Sequence, residues 1–289
     1  MRVVLLCIIG LLIAGTACNK KADIDLPYEG DRIVLNTFIQ VDSPVYIRVT
    51  KSQPVAVIND LNFQELPQAQ VTILEDGAPY GTVNWQQIIG KGYFVSSLPA
   101  RPGKHYTVTA AMTGLSSVRG TDSIPMQPAV QDLFAQKGGN QVRFTLQDPP
   151  GITNYYRIHL YEADTTGGEL KAKKRIVYRL DPSFSNNFAD IVSDAFYEDI
   201  VIKDERFAGQ TVQFVLQTSN TIDYRFMMAQ VIGISESAYK YLQTAARQQS
   251  DADESNALTP PVKVYSNIEN GYGIVAGMYA KWISCKVKE

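Results

Sequence analysis

Few residues in this 289-residue chain could do chemistry: it holds two histidines and three cysteines. His105 and His159 each sit on the polar side of an alternating run, and neither has a Cys, His or Asp at metal-ligand spacing, so no metal is expected. Gly233-Ile234-Ser235-Glu236-Ser237 approaches a hydrolase nucleophile elbow but lacks its final Gly, and Ser235 reads better as a helix cap. Gly271, Gly273 and Gly277 are not a dinucleotide fingerprint, because no helix follows to receive a pyrophosphate. Asp251-x-Asp253-x-Ser255 has the carboxylate spacing of a calcium loop without its Gly or terminal Glu. No phosphate-binding loop is present, so neither a catalytic residue nor a cofactor is expected. One row does suggest function. Tyr155, Arg157, His159 and Tyr161 fall on one side of a strand pattern. Aromatic and Arg side chains combine contact area with polar tips, so this row is a candidate contact face for a protein partner or a glycan.

The elements that must carry that row are strands. Hydrophobic residues make up 45% of the chain, enough for a buried core, and 27 basic residues against 29 acidic ones exclude the basic excess of a nucleic-acid binder. The length suggests roughly two domains of about 150 residues. Ile33, Leu35, Thr37 and Ile39 fall on one face of a period-2 pattern; Val45, Ile47 and Val49 repeat it, as do Val71 with Ile73, Tyr93 with Val95, and Tyr106, Val108 and Ala110. The fold class is therefore mainly β, with two sandwich-like domains. The first, 30–124, resembles the immunoglobulin-like or prealbumin-like sandwich, through Ala69–Ile73, Gly92–Phe94 and Pro102–Tyr106. Pro125 and Pro128 mark an extended linker. The second domain, 129–289, continues with Val142/Phe144/Leu146, Tyr156/Ile158/Leu160, Val212/Phe214/Leu216 and a long strand from Asp223 to Ile234. Mixed strand and loop are expected from Lys173 to Arg206. Ala238, Tyr241, Leu242 and Ala245 predict one helix, about 235–249, capped by Ser235. A polar loop should follow to Thr259, with a strand returning over Val262–Tyr265.

The N-terminus reads as an address. Met1 and Arg2 precede an apolar run, Val3–Ala14, that is too short to span a bilayer and fits a secretory signal over 1–17. Gly15-Thr16-Ala17-Cys18 resembles a bacterial lipobox, with Gly15 where Leu is usual. Cleavage after Ala17 would leave Cys18 as a lipidated terminus, and the polar stretch to 29 as a tether. Several acyl chains on one Cys hold a protein durably at a bilayer. Cys285 is then the one free thiol. It lies in an alternating run with no activating His or helix N-terminus, and is read as a small buried hydrophobe.

Three segments carry a family resemblance: Asp148-Pro149-Pro150-Gly151-Ile152-Thr153-Asn154-Tyr155-Tyr156, then Ser235–Leu242, then Pro260–Val275 with its Val264-Tyr265-Ser266-Asn267-Ile268 and Gly271-Tyr272-Gly273-Ile274. They resemble the domain-of-unknown-function 4249 family of Bacteroidota envelope lipoproteins. Asn270 replaces the usual Gly and Val275 the usual Phe. The resemblance implies an outer-membrane lipoprotein, periplasmic or at the cell surface, accessory to a TonB-dependent nutrient receptor, and no reaction. The alternatives are a structural or adhesive envelope protein, and a hydrolase of envelope glycans or peptides, for which no converging carboxylate pair is visible. Asp122-Ser123-Ile124 and Asp164-Thr165-Thr166 match the short O-glycosylation pattern of that lineage. The closing segment itself reads as structural, a tight turn leading into a final strand.

Overall fold

The computed structural model describes residues 28–54, 63–181, 195–253 and 263–289. The body considered below is Asp31–Gln53 with Leu61–Glu289. In chain order it contains β1 (Ile33–Gln40), β2 (Pro44–Lys51), β3 (Gln70–Glu75), β4 (Ala78–Pro79), β5 (Val83–Ile88), β6 (Lys91–Pro99), β7 (His105–Ala111), β8 (Val118–Ser123) and β9 (Ala129–Ala135). These are followed by β10 (Gln141–Gln147), β11 (Tyr155–Thr166), β12 (Glu169–Ile176), β13 (Tyr178–Leu180), β14 (Ile200–Lys203), β15 (Thr211–Thr218), β16 (Phe226–Ile234), the helix α1 (Glu236–Asp253), β17 (Ile268–Glu269) and β18 (Tyr272–Lys286). Among the described residues the molecule is mainly β, with three sheets and one helix.

The largest sheet has nine strands in the order β12-β11-β16-β18-β1-β2-β6-β5, with β14 also on β11. A four-stranded sheet runs β13-β15-β10-β9 and a five-stranded one β17-β8-β7-β3-β4. Two large apolar clusters result, beside a smaller one under the helix. Ile33, Leu35, Ile47, Val49, Phe94, Tyr106 and Val108 form one, joined by Ile268 and Val275 from the C-terminal end. Phe144, Leu146, Ile158, Tyr178, Phe214 and Val231 form the other. Strict alternation in β1, with Ile33, Leu35, Thr37 and Ile39 inward, produces the first, as the period-2 pattern requires. In β6 the inward residue is Phe94, not Tyr93, which stands edge-on to Tyr46 on the other side.

β18 is the joint of the large sheet. It pairs antiparallel with β16 and parallel with β1, Leu35 opposite Gly273 and Ile39 opposite Gly277. The segment 124–128 between β8 and β9 carries no strand, and it is held against the sheet. Gln127 Nε2 donates to the Ala280 carbonyl at 3.2 Å, and a Cβ on Gly277 would lie 2.2 Å from the Ser123 carbonyl oxygen. Only glycine admits that approach.

α1 begins as expected: Ser235 Oγ accepts from the Ala238 N–H at 3.2 Å, and its carbonyl accepts from Tyr239. It runs on to Asp253, past the expected end near Gln249, because Gln248–Asp253 contains neither Gly nor Pro to stop it. Lys263–Asn267 is not a strand. The Tyr265 N–H is taken instead by Thr244 Oγ1 of α1 at 2.9 Å, which docks this segment on the helix. The expected strand from Asp223 starts at Phe226.

Candidate binding face

Register places the candidate row on the large sheet. Along β11, β16 and β18 the side chains facing α1 form successive rungs: Tyr155–Ile234–Met278, Arg157–Ile232–Ala280, His159–Gln230–Trp282 and Tyr161–Met228–Ser284. The first two rungs belong with the apolar patch under α1, where Ala238, Tyr239, Tyr241 and Leu242 pack. Tyr155 is part of that packing, its ring 4.7 Å from Tyr239. The four residues are thus brought together on one face, but Tyr155 is occupied by the helix.

Arg157 and His159 are held by a carboxylate that sequence spacing did not reveal. Asp199, just before β14, accepts from Arg157 Nε at 2.9 Å and lies 3.5 Å from His159 Nε2. The His159 ring and the Arg157 guanidinium hold its carboxyl down at about 2. His159 is 3% exposed, so it supports the face rather than forming its surface. Its Nδ1 lies 3.0 Å from Gln230 Oε1.

Tyr161 opens the accessible end. Its ring centroid is 5.3 Å from that of Trp282, and the Arg175 guanidinium lies 5.7 Å over its other side. Arg175 Nη2 also donates to the Tyr161 hydroxyl at 3.3 Å and pairs with Glu198 at 3.6 Å. Trp282 is 40% exposed. Trp282, Arg175, Gln230 and Met228 were missed by sequence reasoning. The signal for Trp282 was available in the alternation of Lys281-Trp282-Ile283-Ser284-Cys285, which puts it opposite to Ile283 and Cys285 on the core side.

A second cluster sits at the start of α1. Asp122 accepts from Ser235 Oγ, from the Gly277 N–H at 3.0 Å and from the Ser123 N–H at 2.9 Å. Burial nevertheless pushes its carboxyl above the usual range. Asp122-Ser123-Ile124 is therefore part of the junction between β8, β18 and the helix. A cavity of about 570 Å³ beside it is lined by Asp122, Met126, Tyr156, Gly233 and Glu236. A cleft of about 500 Å³ on the far side of α1 is lined by Tyr197, Asp199, Leu242, Ala246 and two arginines, Arg179 and Arg247.

The remaining candidates hold structure. Asp148 accepts from the Tyr156 hydroxyl at 2.6 Å and the Gly209 N–H at 2.8 Å, and Asp204 accepts from the Asn154 N–H at 2.6 Å. Asn267 lies beside β18 and pairs with Val275 as a neighbouring strand would, its Nδ2 donating to the carbonyl at 2.7 Å and its Oδ1 accepting from the N–H at 3.0 Å. Cys285 packs against the second core, and burial pushes its thiol up. Asp251 and Asp253 fall in the last turn of α1, while Ser255 lies outside the described residues. Ala17 and Cys18 also lie outside them. No helix among the described residues is long and apolar enough to cross a membrane.

A family model described as a domain of unknown function, DUF4249, matches residues 19–281. Among curated proteins nothing matches. A crystal structure from Corynebacterium diphtheriae, described as a candidate membrane-anchored protein, is 13% identical with a TM-score of 0.20. That match covers 86% of this chain and 60% of the other, so this chain spans about three fifths of its length.

Proposed function

The chain belongs to the DUF4249 family, and from that premise we propose that it is a non-enzymatic lipoprotein of the outer membrane, a binding component beside a TonB-dependent nutrient receptor. Cys18, freed by cleavage after Ala17, is the lipidated terminus, and the polar stretch behind it is the tether. The β-rich body would thus be presented at a membrane.

The observation that carries the binding role is the accessible end of the large-sheet face, where the exposed Trp282 and the half-buried Tyr161 lie side by side with Arg175 over the tyrosine ring. Aromatic and Arg side chains of this kind dominate interface energetics. The test is retention of the receptor by the full-length lipoprotein carrying Tyr161→Ala with Trp282→Ala. These positions lie beyond the helix-covered rungs, so the fold should survive. A loss of about 2 kcal/mol, roughly thirtyfold in Kd, is expected. Unchanged retention by a folded double variant would remove this face from the account.

A further inference from the structure

The two ends of the nine-stranded sheet differ in chemistry. β12 closes one end with Lys171, Lys173, Lys174 and Arg175. Lysines along an outermost strand oppose pairing with another strand. β5 closes the other end with Val83-Asn84-Trp85-Gln86-Gln87-Ile88, which carries no charge. Among the described residues no strand pairs with its outer side.

The register shows which backbone groups are open there. β5 and β6 are joined by a two-residue turn, Ile89-Gly90, with Ile88 opposite Lys91. Hydrogen-bonded pairs therefore fall at Ile88–Lys91, Gln86–Tyr93 and Asn84–Val95. The Ser97 N–H donating to the Thr82 carbonyl at 2.8 Å continues the same set. The N–H and C=O groups of Val83, Trp85 and Gln87 point away from β6.

Two apolar side chains flank this edge. Ile89 is 98% exposed and has φ +48°, a left-handed backbone that a β-branched residue enters only under strain. At the other end of the hairpin, Leu98 is 42% exposed beside Gly81, whose Cβ would lie 3.3 Å from Leu98 Cγ.

We propose that β5 is a pairing edge for a second copy of this chain, the two β5 strands running antiparallel about a two-fold axis at Trp85. Val83 of one copy then faces Gln87 of the other, and the open backbone groups of both edges satisfy one another. Asn84 faces Gln86, so no like charges meet. Ile89 lies opposite Gly81 of the second copy, where the missing side chain leaves Leu98 open to it. The same patch on both copies makes a closed, isologous contact. This inference is independent of the receptor reading.

The experiment measures the mass of the detergent-solubilised full-length lipoprotein by sedimentation. The native chain is expected as a dimer. Asn84→Lys with Gln86→Lys sets lysines opposite lysines at exposed positions and should weaken dimerisation roughly tenfold. Asn84→Glu with Gln86→Glu should do the same, and mixing the two variants should restore a dimer. Ile89→Asn suits the left-handed turn, so it should hold or raise the melting temperature while weakening the dimer. A monomeric native chain, an unaffected dimer in the lysine variant, or no recovery on mixing would each overturn the proposal.

Discussion

Asn267 shows how single side chains hold this fold together. Its amide is a donor and an acceptor at a strand-like spacing, and it closes the ladder beside Val275 where the short β17 cannot. Asn267→Asp keeps the shape but turns the donor into an oxygen facing the Val275 carbonyl. About 2 kcal/mol of stability should be lost, read as a lower urea midpoint. A midpoint equal to the native one would contradict this role. Asp199 behaves differently, because its carboxyl is held at about 2 against an unfolded value of 3.8. A depressed folded pKa contributes stability that is complete above about pH 4 and is lost as the pH falls through about 2. Acid unfolding of the native chain should therefore steepen in that window. Asp199→Asn should flatten it, at a cost of about 2 kcal/mol at neutral pH. An unchanged acid profile would mean that Arg157 and His159 do not depend on it.

At the level of elements, the helix start matters most. Ser235 does two things at once: its Oγ accepts from the Ala238 N–H and donates to Asp122. One residue thus caps α1 and ties it to β8 and, through the Gly277 N–H, to β18. Ser235→Ala should cost about 2 kcal/mol, the upper end for a cap, because Asp122 is left buried with one donor fewer. A thermal melt would register it as a drop of several degrees. A Thr in the same place keeps the hydroxyl and should recover most of the loss. The helix covers the first two rungs of the face and leaves the Trp282 end open, so its position decides which aromatics are available for contact.

For the whole molecule, the order of strands couples the first and last parts of the chain. β1 is paired on one side by β18, and β8 by β17, so the first core is completed by Ile268 and Val275. Residues 30–124 expressed alone should be insoluble or unfolded, and co-expression of 129–289 should rescue them. A folded, monomeric fragment in solution would show that the parallel β1–β18 joint is dispensable. The strand content, the inward faces of β1, β2 and β7, and the helix with its Ser235 cap were readable from the sequence, because alternation and capping are local rules set by a few neighbouring residues. The common side of Tyr155, Arg157, His159 and Tyr161 was readable for the same reason. Their fates were not. Tyr155 went under α1, His159 was buried beside Asp199, and Tyr161 was left open beside Trp282. Those outcomes depend on which strands become neighbours, and pairing between strands that lie dozens of residues apart leaves no periodic trace in either strand. Only the tertiary structure decides it, through the packing of complete faces rather than the propensity of single segments.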